Sequence, residues 1–542
     1  MSPSASPSRR FWLVPLIAVT CLAAGCTPGS GPGNGPPNVA TVTTFSDSGD
    51  GTCDSTCSLR DAIALANTDA TIDTVSLPTG TFVVGGPVPL AAVHGRSRAV
   101  PSVRAAGGPS GEAFAVTAAL TIEGTGVGST VIDFSGDDYS VGWLASADLT
   151  LRNLTARNLG SGTTPQERDL IRADHAAPGG SVTLDHTGID HIQPAMAAIR
   201  GLAGASVVDV VGGSAAISVT VSFSAISDIG VGGLGNLFRT GADGPLTISD
   251  SSLARVPALV VGYLGSNNTT GTRSLTLSRD VFSDTAWAES ACLPGVAVWA
   301  QHDAVVNIAD SYLGAGPAGP CGGLPPLPKP EAFGGAVDLY RLTDLVGSPP
   351  VLSVSRSTLD GQVSGNALAV WVDGSLGGGP SFAVADSTLV GGIGAAVMMR
   401  GNILRGSKRS LKWSTLLTAP DQQAAGIRAY TADIPLSIAS SVIDGTDAPT
   451  CVGPVNLGSG GDNTAADDFC PLTGPGDQVT GPNLEPLGDH GGLGPTAPPR
   501  SNSPVVDTAG CSTSSGRDQR FVSRPQGPAC DRGAVEYAEG FR

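Results

Sequence analysis

Five residues able to do acid–base and electrostatic chemistry recur at one position of a repeated pattern: Asp250, Arg279, Asp310, Arg356 and Asp386. A carboxylate can move a proton while a neighbouring guanidinium holds an anionic oxygen, the outfit of a polysaccharide-cleaving site. Stacked on adjacent strands, the same residues would instead pair and fix register. The even alternation of sign favours pairing, since catalytic groups would cluster and break it. Asp185, His186, Asp190 and His191 form a denser group with the residue types of a metal or general-base site. Yet they sit at and just after a chain bend, where Asp commonly bonds its own backbone. Thr187, Ser224, Ser251, Ser311, Ser357, Ser387 and Ser441 read as a hydroxyl ladder, because no Gly-x-Ser-x-Gly turn accompanies them. A lyase would need Lys or Arg beside calcium-binding carboxylates, and a glycosidase two carboxylates at a set separation. The linear sequence locates neither, so no catalytic residue is assigned, and calcium is expected only if the chain is a lyase.

Aromatic residues carry the other candidate chemistry. Tyr263, Trp299, Tyr340, Trp371 and Tyr430 close a second short motif of the form small, apolar, any, apolar, aromatic, with Met399 breaking the run. If the apolar residues before each point inward, as Val296 and Val298 should, alternation sends the aromatic outward. Rings stacked along a rigid surface offer a platform for sugar rings or a partner's apolar patch. Rings turned inward or lying under the following loops would serve stability alone.

These residues need a scaffold that repeats. An eight-residue pattern (apolar, any, apolar, any, any, Ser/Thr/Asp, any, apolar) starts at Val182, Val219, Leu246, Leu275, Val306, Leu352, Phe382 and Leu436. Its first half alternates as a strand with one buried face, its middle bends the chain, and its last apolar residue returns to the interior. No copy can bury its apolar face alone, but stacked coils make the core continuous. Parallel connections of this kind are right-handed. The spacing is too uneven for a propeller. The expected fold is therefore all-β, a right-handed parallel β-helix over residues 141–450, preceded by an N-terminal cap with the first coils (39–140) and followed by a disulfide-bonded C-terminal cap (451–542). Ser58-Leu59-Arg60-Asp61 forms a capping box, opening a short helix with Leu59, Ile63 and Ala66 on one face to cover the first coil.

Composition agrees. Gly 75 and Pro 41 with 14% charged residues suit short strands and turns. The formal charge of −17 becomes about −19 without the leader's Arg9 and Arg10, which excludes nucleic acid as a partner unless a metal bridges the two. Residues 1–25 read as a cleaved export signal, and Leu22-Ala23-Ala24-Gly25-Cys26 reads as a lipobox whose thiol takes a diacylglycerol. A Gly/Pro-rich linker, 26–38, follows. The expected product is a monomeric, membrane-anchored lipoprotein at the cell surface. Eight cysteines remain, falling into four local couples, Cys53 with Cys57, Cys292 with Cys321, Cys451 with Cys470 and Cys511 with Cys530. No Cys-x-x-Cys or His pairing at ligand spacing accompanies them, so no metal site is expected.

Two motifs resemble known families. Cys57-Ser58-Leu59-Arg60-Asp61-Ala62-Ile63, continued by Ala66-Asn67 and the stretch from Asp73 to Phe82, is similar to the CSLREA domain, with Asp61 in place of the usual Glu. Ser503-Pro504-Val505-Val506-Asp507, Asp518-Gln519-Arg520, Arg524-Pro525 and the stretch Cys530 to Tyr537 resemble the end of choice-of-anchor Q proteins. Phe521 stands where that pattern has Gly, so a different local turn is expected. The resemblance implies a pectate-lyase-like β-helix at the cell surface and no particular reaction. The expected function is accordingly a binding, adhesion or structural module for glycans or a surface partner. The competing expectation is a carbohydrate-active lyase or hydrolase.

Overall fold

The computed structural model describes residues 38–540 apart from interruptions, the longest being 86–110, 194–204, 262–272, 286–295 and 317–334. Over this span the chain is a right-handed parallel β-helix. Each coil contributes a first strand, a bend, a second strand and a third strand, all pairing in parallel with their counterparts in the next coil. First and second strands share one 26-stranded sheet, while third strands form sheets of five and seven, linked by the backbone bond from Leu237 N to Ala258 O at 3.5 Å.

The apolar column that opens the first strands is continuous through Leu120, Leu149, Val182, Val219, Leu246, Leu275, Val306, Leu352 and Phe382 to Arg409. Three of these coils are additional to the eight copies of the motif. Arg409 fills the gap between Phe382 and Leu436 with a buried guanidinium whose Nε and Nη1 have no hydrogen-bond partner among the described residues. Burial brings its pKa down to about 10.

The bend is made by one residue in left-handed backbone, with φ between 46° and 61° at His186, Phe223, Asp250, Arg279, Asp310, Arg356, Asp386, Trp413 and Ser440. Non-glycine residues adopt this conformation at a cost, which the next residue offsets. Its hydroxyl donates to the carbonyl two positions earlier and accepts a backbone N–H from the coil before. Ser357 Oγ, for instance, donates to Ser355 O at 2.8 Å and accepts Ser311 N at 3.1 Å. The ladder runs unbroken from Thr187 through Ser224, Ser251, Asp280, Ser311 and Ser357 to Ser387. The serine and threonine hydroxyls of this ladder, with the Asp280 carboxyl, are buried and tied to backbone.

A helix, Leu59–Thr68, covers the first coil. Ser58 Oγ accepts Asp61 N at 3.1 Å, and the Asp61 carboxylate accepts Ser58 N at 3.2 Å. Asp61 thus completes the capping box that a Glu would make. Leu59, Ala62, Ile63 and Ala66 are the buried face.

The C-terminal cap does more than close the last coil. From about Leu484 the chain returns along the outer side of the second strands, as a strap with little regular structure. Gln519 bridges two coils, its amide donating to Thr358 Oγ1 at 2.7 Å and its oxygen accepting from Thr388 Oγ1 at 2.6 Å. Ala534 N donates to Thr415 Oγ1 at 2.9 Å. Phe521 keeps left-handed backbone, φ 67°, so the turn retains the conformation glycine favours, and its ring lies 5.4 Å from the Arg356 guanidinium. Disulfides join Cys53 to Cys57, Cys451 to Cys470 and Cys511 to Cys530. Cys292 and Cys321 lie outside the described residues, as do Cys26 and the whole leader. The disulfides suit a chain exported to an oxidising compartment.

Candidate functional site

The aromatic residues stand on the third strands, at Leu259–Val261, Val296–Ala300, Gly335–Leu342, Asn366–Asp373, Ala395–Gly401, Ala425–Ala429 and Cys451–Val452. Alternation gives these strands a closed and an open side. Val298, Val337, Leu368, Val397, Ile427 and Cys451 stack inward, as do Ala300, Leu339, Val370, Met399 and Ala429. The outer side carries one column of Trp299, Asp338, Ala369, Met398, Arg428 and Val452, and a second of Tyr340, Trp371 and Arg400. Tyr430 continues the second column, its backbone N bonding Met399 O at 3.0 Å.

This register corrects the spacing expected from the motif. Trp299 pairs with Asp338 and so sits two positions short of Tyr340, in the neighbouring column. Met399 is inward and buried, and Arg400 takes the place in the aromatic row assigned to it. The last large residue of the motif does not mark equivalent places in successive coils; the two inward apolar residues do, Val397 and Met399 pairing with Leu368 and Val370. Tyr263 lies outside the described residues.

Trp299, Tyr340, Trp371, Arg400 and Tyr430 are all half-buried. Ring centroids are 6.2 Å apart between Trp299 and Tyr340 and 6.0 Å between Tyr340 and Trp371. The Arg400 guanidinium continues the stack, 4.5 Å from the Trp371 centroid and 5.6 Å from that of Tyr430. Beneath the row, Ala369, Ala395, Met398 and Ala425 form a small buried cluster against which Tyr430 and Val452 pack. The ring planes are tilted by 51° between Trp299 and Tyr340 and by 64° between Tyr340 and Trp371. Among the described side chains of this strand face, Asp338 is the one carboxylate.

The other candidate groups are occupied structurally. The alternating charges pair two by two: Arg279 to Asp250 at 2.5 and 2.6 Å, and Arg356 to Asp310 at 2.6 and 3.2 Å. Asp386 turns to Arg524 of the strap at 3.7 Å. Both pairs join neighbouring coils and so fix register. Asp185 accepts Ser222 Oγ at 2.9 Å, Arg152 Nε at 3.1 Å and the His186 ring at 2.8 Å. Asp190 does the same for His191 at 2.5 Å. The two histidines occupy successive left-handed bends, φ 52° and 55°. Among the described residues no group of three or more His, Cys, Asp or Glu could hold a metal.

Fold and face together define a class: a parallel β-helix with an external row of aromatic rings along one side. No family model and no curated protein matches the sequence. Several solved structures are similar to it. The A-module of a mannuronan C-5 epimerase from Azotobacter vinelandii shares 15% identity over 82% of this chain and 100% of its own, with TM-score 0.35. The catalytic unit of a thermostable GH87 alpha-1,3-glucanase from Streptomyces thermodiastaticus shares 14% over 79% of this chain and 69% of its own, with TM-score 0.41. A pectate lyase shares 10% over 93% and 98%, with TM-score 0.31.

Proposed function

We propose that the chain is a surface-held β-helix whose third-strand face binds carbohydrate. One observation carries this reading: Trp299, Tyr340 and Trp371 project half-buried from three successive coils on one side, with Tyr430 two coils further on, beyond Arg400, and packed on a small apolar cluster. Solvent-facing indole and phenol rings cost free energy unless something covers them, and the faces of sugar rings are suited to do so. Cleavage would call for two carboxylates facing the row; among the described side chains of that face there is one, Asp338. The expected outcome of replacing Trp299 and Trp371 together by alanine is loss of retardation in gels containing polysaccharide, with the melting transition kept. Half-buried rings should each cost less than the roughly 3–5 kcal/mol of a core aromatic. Unaltered retardation would place binding elsewhere.

Attachment and kinship belong to the same proposal. Cys26 takes the lipid, a reading supported by the lipobox pattern Leu22-Ala23-Ala24-Gly25-Cys26. Kinship with CSLREA-domain and choice-of-anchor Q proteins is supported by the capping box at Ser58 and Asp61 and by the strap built from Asp518 to Tyr537. Cys26→Ser should move the protein from the membrane fraction to the soluble one. Retention of the variant on membranes would refute lipidation at this residue.

A further inference from the structure

We propose that Arg400 makes the face selective for a glycan that is mainly neutral and carries an acidic unit at intervals. This rests on the reading of the face as a sugar-binding surface and names which sugars it takes. Arg400 stands in the row where an aromatic side chain would continue it, held between Trp371 and Tyr430 at 4.5 and 5.6 Å. A guanidinium stacked on ring faces is desolvated on its flat sides and keeps its in-plane N–H donors for a ligand, the geometry that suits bidentate capture of a carboxylate or sulfate. No ion pair involves Arg400 among the described residues, although the chain pairs Arg152, Arg157, Arg172, Arg255, Arg279 and Arg356 with carboxylates.

The rest of the face limits how charged the ligand can be. Upstream of Arg400 the row offers Trp371, Tyr340 and Trp299, which stack on neutral rings, and Asp338, which repels an anion placed there. Tyr340 to Tyr430 spans three coil steps, about 14 Å at about 4.8 Å per step, so several sugar units lie on the row and one meets Arg400. The acidic body, −17 overall, further opposes a densely charged polymer. Neutral units on the rings with one acidic unit at Arg400 satisfy all of these constraints. A polyuronate does not.

Calorimetric titration of the full mature chain tests this with three probes: a neutral xylo-oligosaccharide, the same oligosaccharide bearing one glucuronate, and an oligogalacturonate of equal length. The singly acidic probe should bind roughly tenfold tighter than the neutral one, the size of one charge-assisted contact, and that gap should shrink with added salt. Arg400→Gln should abolish the gap, read as the ratio of the two affinities on the variant itself, and Arg400→Lys should retain part of it. Equal binding of neutral and singly acidic probes, or a gap that survives Arg400→Gln, overturns the selectivity and leaves the sugar-binding face standing. Tightest binding of the oligogalacturonate overturns the low-charge preference. Absence of binding by all three removes the sugar-binding reading and this inference with it.

Discussion

Arg524→Ala is expected to destabilise the C-terminal strap by about 3–5 kcal/mol, the usual cost of removing one partner from a buried charge pair. The Arg524 side chain is fully buried between the strap and the second strands. Its Nη1 donates to Glu536 Oε2 at 2.8 Å and Asp531 O at 2.9 Å, and its Nη2 to Gly533 O at 2.7 Å. The guanidinium lies 4.9 Å from the Trp413 ring and 3.7 Å from Asp386. Alanine would leave two buried carboxyls without their cation and strip the covering from Trp413. Arg524→Lys should recover only part, because an ammonium cannot make the three forked bonds at once. A repeat protein need not unfold in one step, so the measurement is local: hydrogen exchange and limited proteolysis of residues 484–540 beside global unfolding in urea. Unchanged protection of the strap in Arg524→Ala would show that the backbone and threonine contacts hold it unaided. Since burial pushes Glu536 up to about 7, the variant should tolerate pH 5 better than pH 8.

That network was poorly legible in the sequence, and the reason is distance along the chain. The first strands could be read because their information is local: alternation, a bend residue and a hydroxyl fall within eight positions, from Val182 to Leu436. The coil at Arg409 escaped because a cation sits where the pattern asks for an apolar residue. The coil at Leu149 escaped because Leu154 replaces the bend hydroxyl. The strap has no period, and its decisive contacts join residues as far apart as Thr358 and Gln519, 161 positions. A cap was visible there, from its cysteines and its motif; that it folds back over the second strands was not. The aromatic row lay between these cases. Its outward direction follows from alternation, but the offset of Trp299 and the place of Arg400 depend on register between coils, which loops of unequal length hide.

Asp280 offers the sharper test of the ladder that was legible. It stands where other coils have serine, fully buried, with Oδ1 accepting Ser251 N at 2.9 Å and Oδ2 accepting Ser278 N at 2.8 Å. Burial pushes its carboxyl from 3.8 to about 7, with Asp250 adding to the effect, against these two backbone donors and Arg279. The folded chain therefore holds a proton near pH 5 that the unfolded chain has released. Stability from this group is fully present below about pH 3.8 and is lost as pH rises through about 7, a change on the order of a few kcal/mol. Glu536, raised from 4.5 to about 7, acts in the same sense. Asp228 acts in the opposite sense, because the bond from Arg255 holds it below its ordinary value, so its contribution is lost on acidification. The expected optimum lies between these losses, in mildly acidic solution. Asp280→Ser restores a hydroxyl that can donate to the Ser278 carbonyl, as Ser251 donates to Ser249 at 2.7 Å. Urea unfolding at pH 5 and pH 8.5 should show wild type markedly weaker at the higher pH. The serine variant should lose less and exceed wild type there, while keeping the residual slope that Glu536 supplies. An identical pH slope in the two proteins would mean that Asp280 does not carry the proton and that its carboxylate is satisfied by the two backbone donors alone.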